Sequence, residues 1–213
     1  WVADALWFRR QYEDKFCYRN ELGVPDDAFV ISSFQRDSEG ADTTKPKLEK
    51  GPDIFCDYVE RYHAAHNDAH VLLAGWRRQY VINRLRVANI PFTYIELPPF
   101  EIVRKMYTTT DLYVVGSRFE GGPQAIIECA HMNVPVISTD VGIAHDFLHP
   151  STVSRSGKLD DIVLPSSMHV KHARGIANTC ILQKQIKIYD DFFRTAFAQN
   201  NTSTETPKIQ LHT

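Results

Sequence analysis

Leu112-Tyr113-Val114-Val115 is an apolar, β-rich run, and Ser117-Arg118-Phe119-Glu120-Gly121-Gly122-Pro123-Gln124-Ala125-Ile126-Ile127-Glu128 follows it. The order reads as a strand, a tight Gly turn and an amphipathic helix. Pro123 suits the first helical position, because it has no backbone N–H to lose and its φ is already helical. Glu128 then falls about one and a half turns into the helix. A strand, a Gly turn and a helix N-terminus together present backbone N–H groups and the positive end of the helix dipole to one point, which favours an anion. Two carboxylates beside such a point would repel a bare anion. They suit a phosphate ester that also carries sugar hydroxyls, for which carboxylates are good acceptors. A nucleotide sugar meets that description.

Working outward, short β-rich runs alternate with helical segments. Phe29 to Phe34, His70 to Ala74, Phe92 to Ile95, residues 111–115 and Val134 to Ser138 read as strands. Pro52 to about His66, Gln79 to Val87 and Pro99 to Tyr107 read as helices, the first carrying Ile54, Phe55, Tyr58, Val59 and Tyr62 on one face. Such alternation predicts a Rossmann-like α/β fold, a parallel sheet covered by helices on both faces, with ligands at the carboxyl ends of the strands. Residues 1–24 are expected to form a helical lead-in or inter-domain linker ended by Gly23 and Pro25, residues 25–198 the nucleotide-sugar-binding domain, and 199–213 a disordered tail rich in Asn, Ser and Thr. Gln35 to Lys47 is a polar loop. Lys158 to Leu164 is expected to make a short strand or edge, and Ser167 to about Ala198 to be helical through Ile176, Cys180, Ile186, Tyr189, Phe192 and Phe193.

The paired glutamates, with seven residues between them, resemble the E-x7-E signature of retaining GT-B glycosyltransferases of the GT4-like (group 1) family. Tyr107-Thr108-Thr109-Thr110-Asp111-Leu112-Tyr113-Val114-Val115-Gly116-Ser117 resembles the family's approach to that motif. Val134-Pro135-Val136-Ile137-Ser138-Thr139-Asp140-Val141-Gly142 resembles the strand and turn after it. The resemblance covers roughly residues 25–150. It implies that the chain is the C-terminal, donor-binding half of a GT-B enzyme, and that the donor is a UDP-, GDP- or dTDP-linked sugar. By the same likeness Glu128 would accept hydrogen bonds from ribose hydroxyls. Glu120 would hold hydroxyls of the donor sugar and stabilise charge at the anomeric carbon. The loop and helix start at Gly121, Gly122, Pro123 and Gln124 would cradle phosphate or sugar. Arg36 and Lys50 would neutralise the diphosphate without a metal or other cofactor. The loop before Lys50 is longer than the family's usual one and holds Lys45 and Lys47 as rivals; Gly51 directly after Lys50 favours Lys50. Gly75, ahead of Trp76-Arg77-Arg78, is a donor contact or simply a strand end with surface arginines. Glu96-Leu97-Pro98 marks where relatives hold the base through backbone groups, and Thr139 to Gly142 is expected to shape the floor of the site, Gly142 by a turn needing positive φ.

A chain of 213 residues has room for one Rossmann-like half only, so the acceptor-binding half is expected to precede residue 1 or to belong to another chain. The absence of a first Met fits a piece of something longer. Donor binding with little or no transfer is the expectation for this chain alone. A formal net charge of −2 argues against a general nucleic-acid binder. No run approaches a transmembrane span and no secretory signal is legible, so the expected setting is the cytoplasm, with any membrane contact made through the other half. Cys17, Cys56, Cys129 and Cys180 are read as reduced thiols. His63, His66 and His70 share a region without the closed ligand set of a zinc site, because a turn at Asn67-Asp68 separates His70 from the helix. Three alternatives stay open: a non-catalytic nucleotide-sugar-binding module, a sugar-nucleotide epimerase of the same fold, and a partner-docking domain whose exposed aromatics would include Trp1, Trp7, Phe8 and Tyr12.

Overall fold

A computed structural model describes residues 15–40 and 42–202. Residues 1–14 of the expected lead-in, with their four aromatic residues, and 203–213 of the expected tail lie outside the described residues, while 199–202 continue the last helix. Six parallel strands form one sheet: β1 (Phe29–Phe34), β2 (Ala69–Ala74), β3 (Phe92–Ile95), β4 (Leu112–Val115), β5 (Val136–Thr139) and β6 (Val153–Ser154), in the order β3-β2-β1-β4-β5-β6. The helices are α1 (Lys15–Glu21), α2 (Pro52–His66), α3 (Gln79–Val87), α4 (Phe100–Thr109), α5 (Gln124–Met132), α6 (Ala144–Phe147), α7 (Ser167–Ala177) and α8 (Leu182–Thr202). This is the Rossmann-like architecture expected from the alternation.

Strand alternation divides the core. Ile31, Val71, Leu73, Leu112 and Val114 pack with Ile54, Phe55 and Val59 of α2 and Val81 and Leu85 of α3. Tyr113 and Val115 point the other way, onto Ile126, Ile127 and Met132 of α5 and Ala173 and Ala177 of α7. Strand order reverses between β1 and β4, which are paired only at Ile31–Leu112 and Ser32–Tyr113. Beyond that point the strands part, and the Tyr113 hydroxyl accepts the Phe34 N–H at 2.9 Å in place of a ladder bond. A sheet that opens where its order reverses leaves a crevice at the carboxyl ends.

The opposite edge is closed by Asp111, which accepts from Arg19 Nη2 at 2.6 Å and from the Val30 N–H at 2.9 Å. The buried Arg19 also donates to the carbonyls of Asp26 (2.6 Å) and Ala28 (3.0 Å), fixing α1 to the start of β1.

Three expectations need correction. Arg78 is no surface arginine: it is fully buried after β2, and its Nε lies 3.1 Å from Asp37 Oδ2. Its Nη1 donates to the carbonyls of Ser33 (2.7 Å), Gln35 (2.9 Å) and Ala74 (3.0 Å). Residues 158–164 form no strand; Leu159 is buried against the α2 side, and the sixth strand is Val153–Ser154. The apolar spacing after Ser167 belongs to two helices, α7 and α8, separated by a turn in which the Thr179 and Cys180 amides close on Ile176 and Ala177.

Removing one partner of a buried, hydrogen-bonded ion pair leaves an uncompensated charge. Arg78→Ala should therefore lower unfolding free energy by ~3–5 kcal/mol in urea titrations, whereas Arg86→Ala on the exposed face of α3 should change it by under ~0.5 kcal/mol.

Candidate functional site

The Gln35 to Lys47 loop folds back on the Arg78 clamp. The Lys47 N–H donates to Asp37 O at 2.7 Å, Ser38 pairs with Pro46 in an isolated antiparallel bridge, and the Ser38 hydroxyl donates to Thr43 O at 2.7 Å. Lys45 is spent on the rim, 3.9 Å from Glu39. A 3-10 turn, Leu48–Lys50, follows, and Gly51 turns the chain into α2 at φ 56°. A Cβ on Gly51 would lie 1.7 Å from the Gly116 carbonyl oxygen. Only glycine allows that contact, which seats the turn directly on the chain leaving β4.

From the other side, the Arg118 and Phe119 N–H groups donate to Glu49 O at 2.8 and 3.2 Å. Arg118 forks onto Asp53 at 2.7 and 2.6 Å and also reaches Leu48 O at 2.9 Å. The Glu120 loop is propped from below by the turn after β5. Thr139 donates its hydroxyl to Ser117 O, and Gly142 (φ 50°) lies so close that a Cβ would stand 2.8 Å from Glu120 O and 2.7 Å from Gly121 O. Thr139 and Gly142 thus shape the floor, as expected, while Asp140 faces solvent beside His145.

Between β1, β4, α4 and α5 lies a cavity of about 340 Å³. Lys50, Glu120, Gly122, Pro123, Gln124 and Glu128 all line it, so six of the residues singled out in the sequence share one space. Phe34, Gln35, Tyr107, Tyr113 and Ser117 complete most of its wall. Pro123 sits one step before the helix, at φ −60° and ψ 105°, and its carbonyl accepts the Ile126 N–H at 3.0 Å. The first turn of α5 therefore opens onto the cavity.

The two glutamates are held differently. Lys50 Nζ is ion-paired with Glu120 Oε1, and the Ser117 hydroxyl lies 3.3 Å from the same oxygen. Glu128 accepts the Tyr107 hydroxyl at 2.6 Å through Oε2. Burial raises the Glu128 carboxyl above its ordinary range, and the Tyr107 hydrogen bond opposes the shift only in part. Burial also holds the Tyr107 phenol well above its usual range, so it stays a donor.

Four expected residues stand outside the cavity lining. Arg36 donates from Nε to Ser38 O at 2.8 Å and lays its guanidinium 5.1 Å from the Trp76 ring centre. Gly121 is exposed at the tip of the loop. Gly75 shapes the end of β2, where a Cβ would meet Gln35 O at 2.5 Å. Leu97, at φ 48° and 69% exposed, stands on the same carboxyl edge of the sheet after β3. Sequence reading missed Gln35, whose Nε2 donates to Lys50 O at 2.9 Å, and the Arg118–Asp53 fork. Neither carries a local signal, since each is defined by its partner. Among the described residues no three His, Cys, Asp or Glu side chains gather where a metal ion would sit.

The sequence model of the family described as glycosyl transferases group 1 matches residues 44–164, more than half of the chain. No curated protein matches significantly. Among solved structures, HepE of Anabaena in complex with UDP and glucose matches with a TM-score of 0.71 at 14% identity, over 90% of this chain and 55% of that one. Sucrose-phosphate synthase from Thermosynechococcus elongatus matches at 0.65 and 17%, over 93% and 52%. The C-terminal domain of a glycosyl transferase group 1 family protein, LpcC, from Francisella tularensis matches at 0.60 and 12%, over 83% and 97%. At such identities the likeness is one of fold, that of one Rossmann-like half of a GT-B glycosyltransferase; the chain spans about half the length of HepE and of the synthase. On its match to the family's own sequence model, the chain belongs to the glycosyl transferases group 1 family.

Proposed function

We propose that this chain is the donor-binding half of a retaining glycosyltransferase that uses a nucleotide sugar and needs no metal. The observation that carries the reading is the convergence of Lys50, Glu120, Glu128 and the α5 N-terminus on one cavity at the point where strand order reverses. HepE, of like fold, has been solved with UDP and with UDP-glucose, which supports the same ligand class here.

In this reading the ribose hydroxyls donate to Glu128, whose second oxygen is held by Tyr107. The diphosphate lies against the start of α5 and Lys50. Glu120 receives hydroxyls of the sugar. The bond from the anomeric carbon to the phosphate oxygen breaks with its electron pair leaving on the nucleoside diphosphate. Lys50 and the helix dipole stabilise that charge. Glu120 stabilises the positive charge left at carbon, and the acceptor oxygen bonds on the face the phosphate has just left. The acceptor's proton passes to the departing phosphate, so configuration is retained and no protein nucleophile is required. Arg36 would have to leave Trp76 to join, so Lys50 carries the first charge. Leu97 and Gly75, at the ends of β3 and β2, are assigned to the base side through their backbone groups.

The acceptor comes from a second half, in cis or in trans. That assignment is supported by α8, where Ile186, Tyr189, Phe193 and Phe197 are all more than half exposed. Apolar groups at that spacing on one helix make a continuous patch of the kind partners cover.

Calorimetric titration against UDP-, GDP-, dTDP- and ADP-sugars should find one nucleotide class that binds. Glu128→Ala should weaken it at least tenfold, as loss of a hydrogen bond to a charged group costs ~1.5–3 kcal/mol. Failure of every class to bind, or tight binding by that variant, would sink the reading. The raised Glu128 carboxyl adds a second expectation. A carboxyl raised in the folded state contributes stability at low pH that is lost as pH rises through its folded value. Glu128→Gln should therefore gain melting temperature relative to the parent as pH goes from 4 to 8, while still losing nucleotide affinity.

A further inference from the structure

The Lys50–Glu120 ion pair joins the two groups that the donor reading gives to different parts of the ligand, Lys50 to the diphosphate and Glu120 to the sugar. Resting on that reading, we infer that this pair is a selectivity element: it disfavours a nucleoside diphosphate and favours the intact nucleotide sugar. Each partner is largely withdrawn from water, with 30% of the Lys50 side chain and 19% of the Glu120 side chain exposed. Among the described residues Ser117 is the one other hydrogen-bond partner of the Glu120 carboxylate, and Lys50 Nζ has Glu120 alone.

A diphosphate that takes Lys50 as its counter-charge therefore competes with Glu120 for it. If the ligand ends at the phosphate, Glu120 is left half-buried beside an anion, held only by the Ser117 hydroxyl. Both its desolvation and its repulsion of the phosphate oppose binding. If the ligand carries a sugar, the hydroxyls replace the lysine as donors to Glu120, and the carboxylate is satisfied again. The same two side chains thus weaken retention of the product diphosphate while accommodating the donor. Main-chain contacts hold the two anchors side by side. The Gln35 amide and the Gly51–Gly116 contact fix Lys50, and the Gly142 turn fixes the Glu120 loop.

The test uses the 213-residue chain, its Glu120→Gln and Lys50→Met variants and the double variant, each checked for an unchanged thermal transition. Titrations use UDP, GDP, dTDP and ADP, each beside a sugar-bearing form of the same nucleotide, and the class that the parent chain binds is followed. Glu120→Gln should bind the free diphosphate roughly twofold to fivefold more tightly, the span expected for releasing a partly exposed ion pair. Its preference for the sugar-bearing ligand should fall by about tenfold or more, equivalent to the loss of one charge-assisted hydrogen bond. Lys50→Met should weaken both ligands, and adding Glu120→Gln to it should give no gain toward the diphosphate beyond the small relief of repulsion. Unchanged or weaker diphosphate binding by Glu120→Gln, in a parent that does bind, overturns the inference and leaves the donor reading standing. A parent that binds none of the four nucleotide classes overturns both.

Discussion

Everything at the carboxyl edge of this sheet leans on the buried contact between Arg78 and Asp37. Taking two charges out of water is costly, and the cost is offset only where geometry is good and the remaining donors are used. Here Arg78 spends them on three carbonyls, of Ser33, Gln35 and Ala74, so one guanidinium ties the ends of β1 and β2 to each other. Burial lifts the Asp37 carboxyl above its ordinary range even with Arg78 against it, a measure of how dry the place is. The Val81 N–H supplies a further donor to Asp37. The pair is therefore a hub where β1, β2, the start of α3 and the long loop after β1 meet.

From that hub the position of Lys50 follows. Asp37 turns the loop back by accepting the Lys47 N–H, and Gln35, clamped by its own carbonyl, reaches across to Lys50 O. The closing contact is steric. Gly51 and Gly116 touch backbone to backbone, and the Arg118 and Phe119 N–H groups bonded to Glu49 O hold the turn bearing Lys50 to the chain leading to Glu120. Charged side chains on two loops would ordinarily share a geometry only part of the time, since ordering them costs side-chain entropy. Here the main chain sets the two anchors side by side, which leaves only the side-chain rotamers of Lys50 and Glu120 to be ordered.

What the sequence disclosed and what it hid divide along the same line. Strand ends, the helix at α5 and the Glu120 loop were legible because each depends on local pattern: β-rich runs, a Gly turn, Pro before an apolar helix; Lys50 and the cradling of the ligand came from the likeness to the glycosyltransferase family. Arg78 was not, because a lone arginine after a strand defaults to the surface and its carboxylate lies 41 positions earlier. Arg118 was hidden in the same way, its partner Asp53 being 65 positions away. The sixth strand is only Val153 and Ser154 and pairs with Ser138 and Thr139, too short for any period to register. The apolar spacing of 158–164 came instead from Leu159 and Ile162 packing beneath α2. Arg36 matched by position, but its side chain answers to Trp76, a contact that no spacing rule anticipates.

The α8 helix poses the remaining physical problem. Among the described residues the clusters that make up the core draw on residues from Leu22 to Cys180 and use none of α8. The domain is therefore packed without it. Yet α8 carries Ile186, Ile188, Tyr189, Phe192, Phe193 and Phe197, each more than half exposed. Single exposed apolar residues are ordinary on a protein surface, but six of them on one helix make a patch of the kind partners cover. A cavity open at the carboxyl edge poses the matching question under the proposed function, in which an acceptor approaches the anomeric carbon from outside it. One partner half that covers α8 and supplies the acceptor would answer both, and the proposed function takes that half to exist.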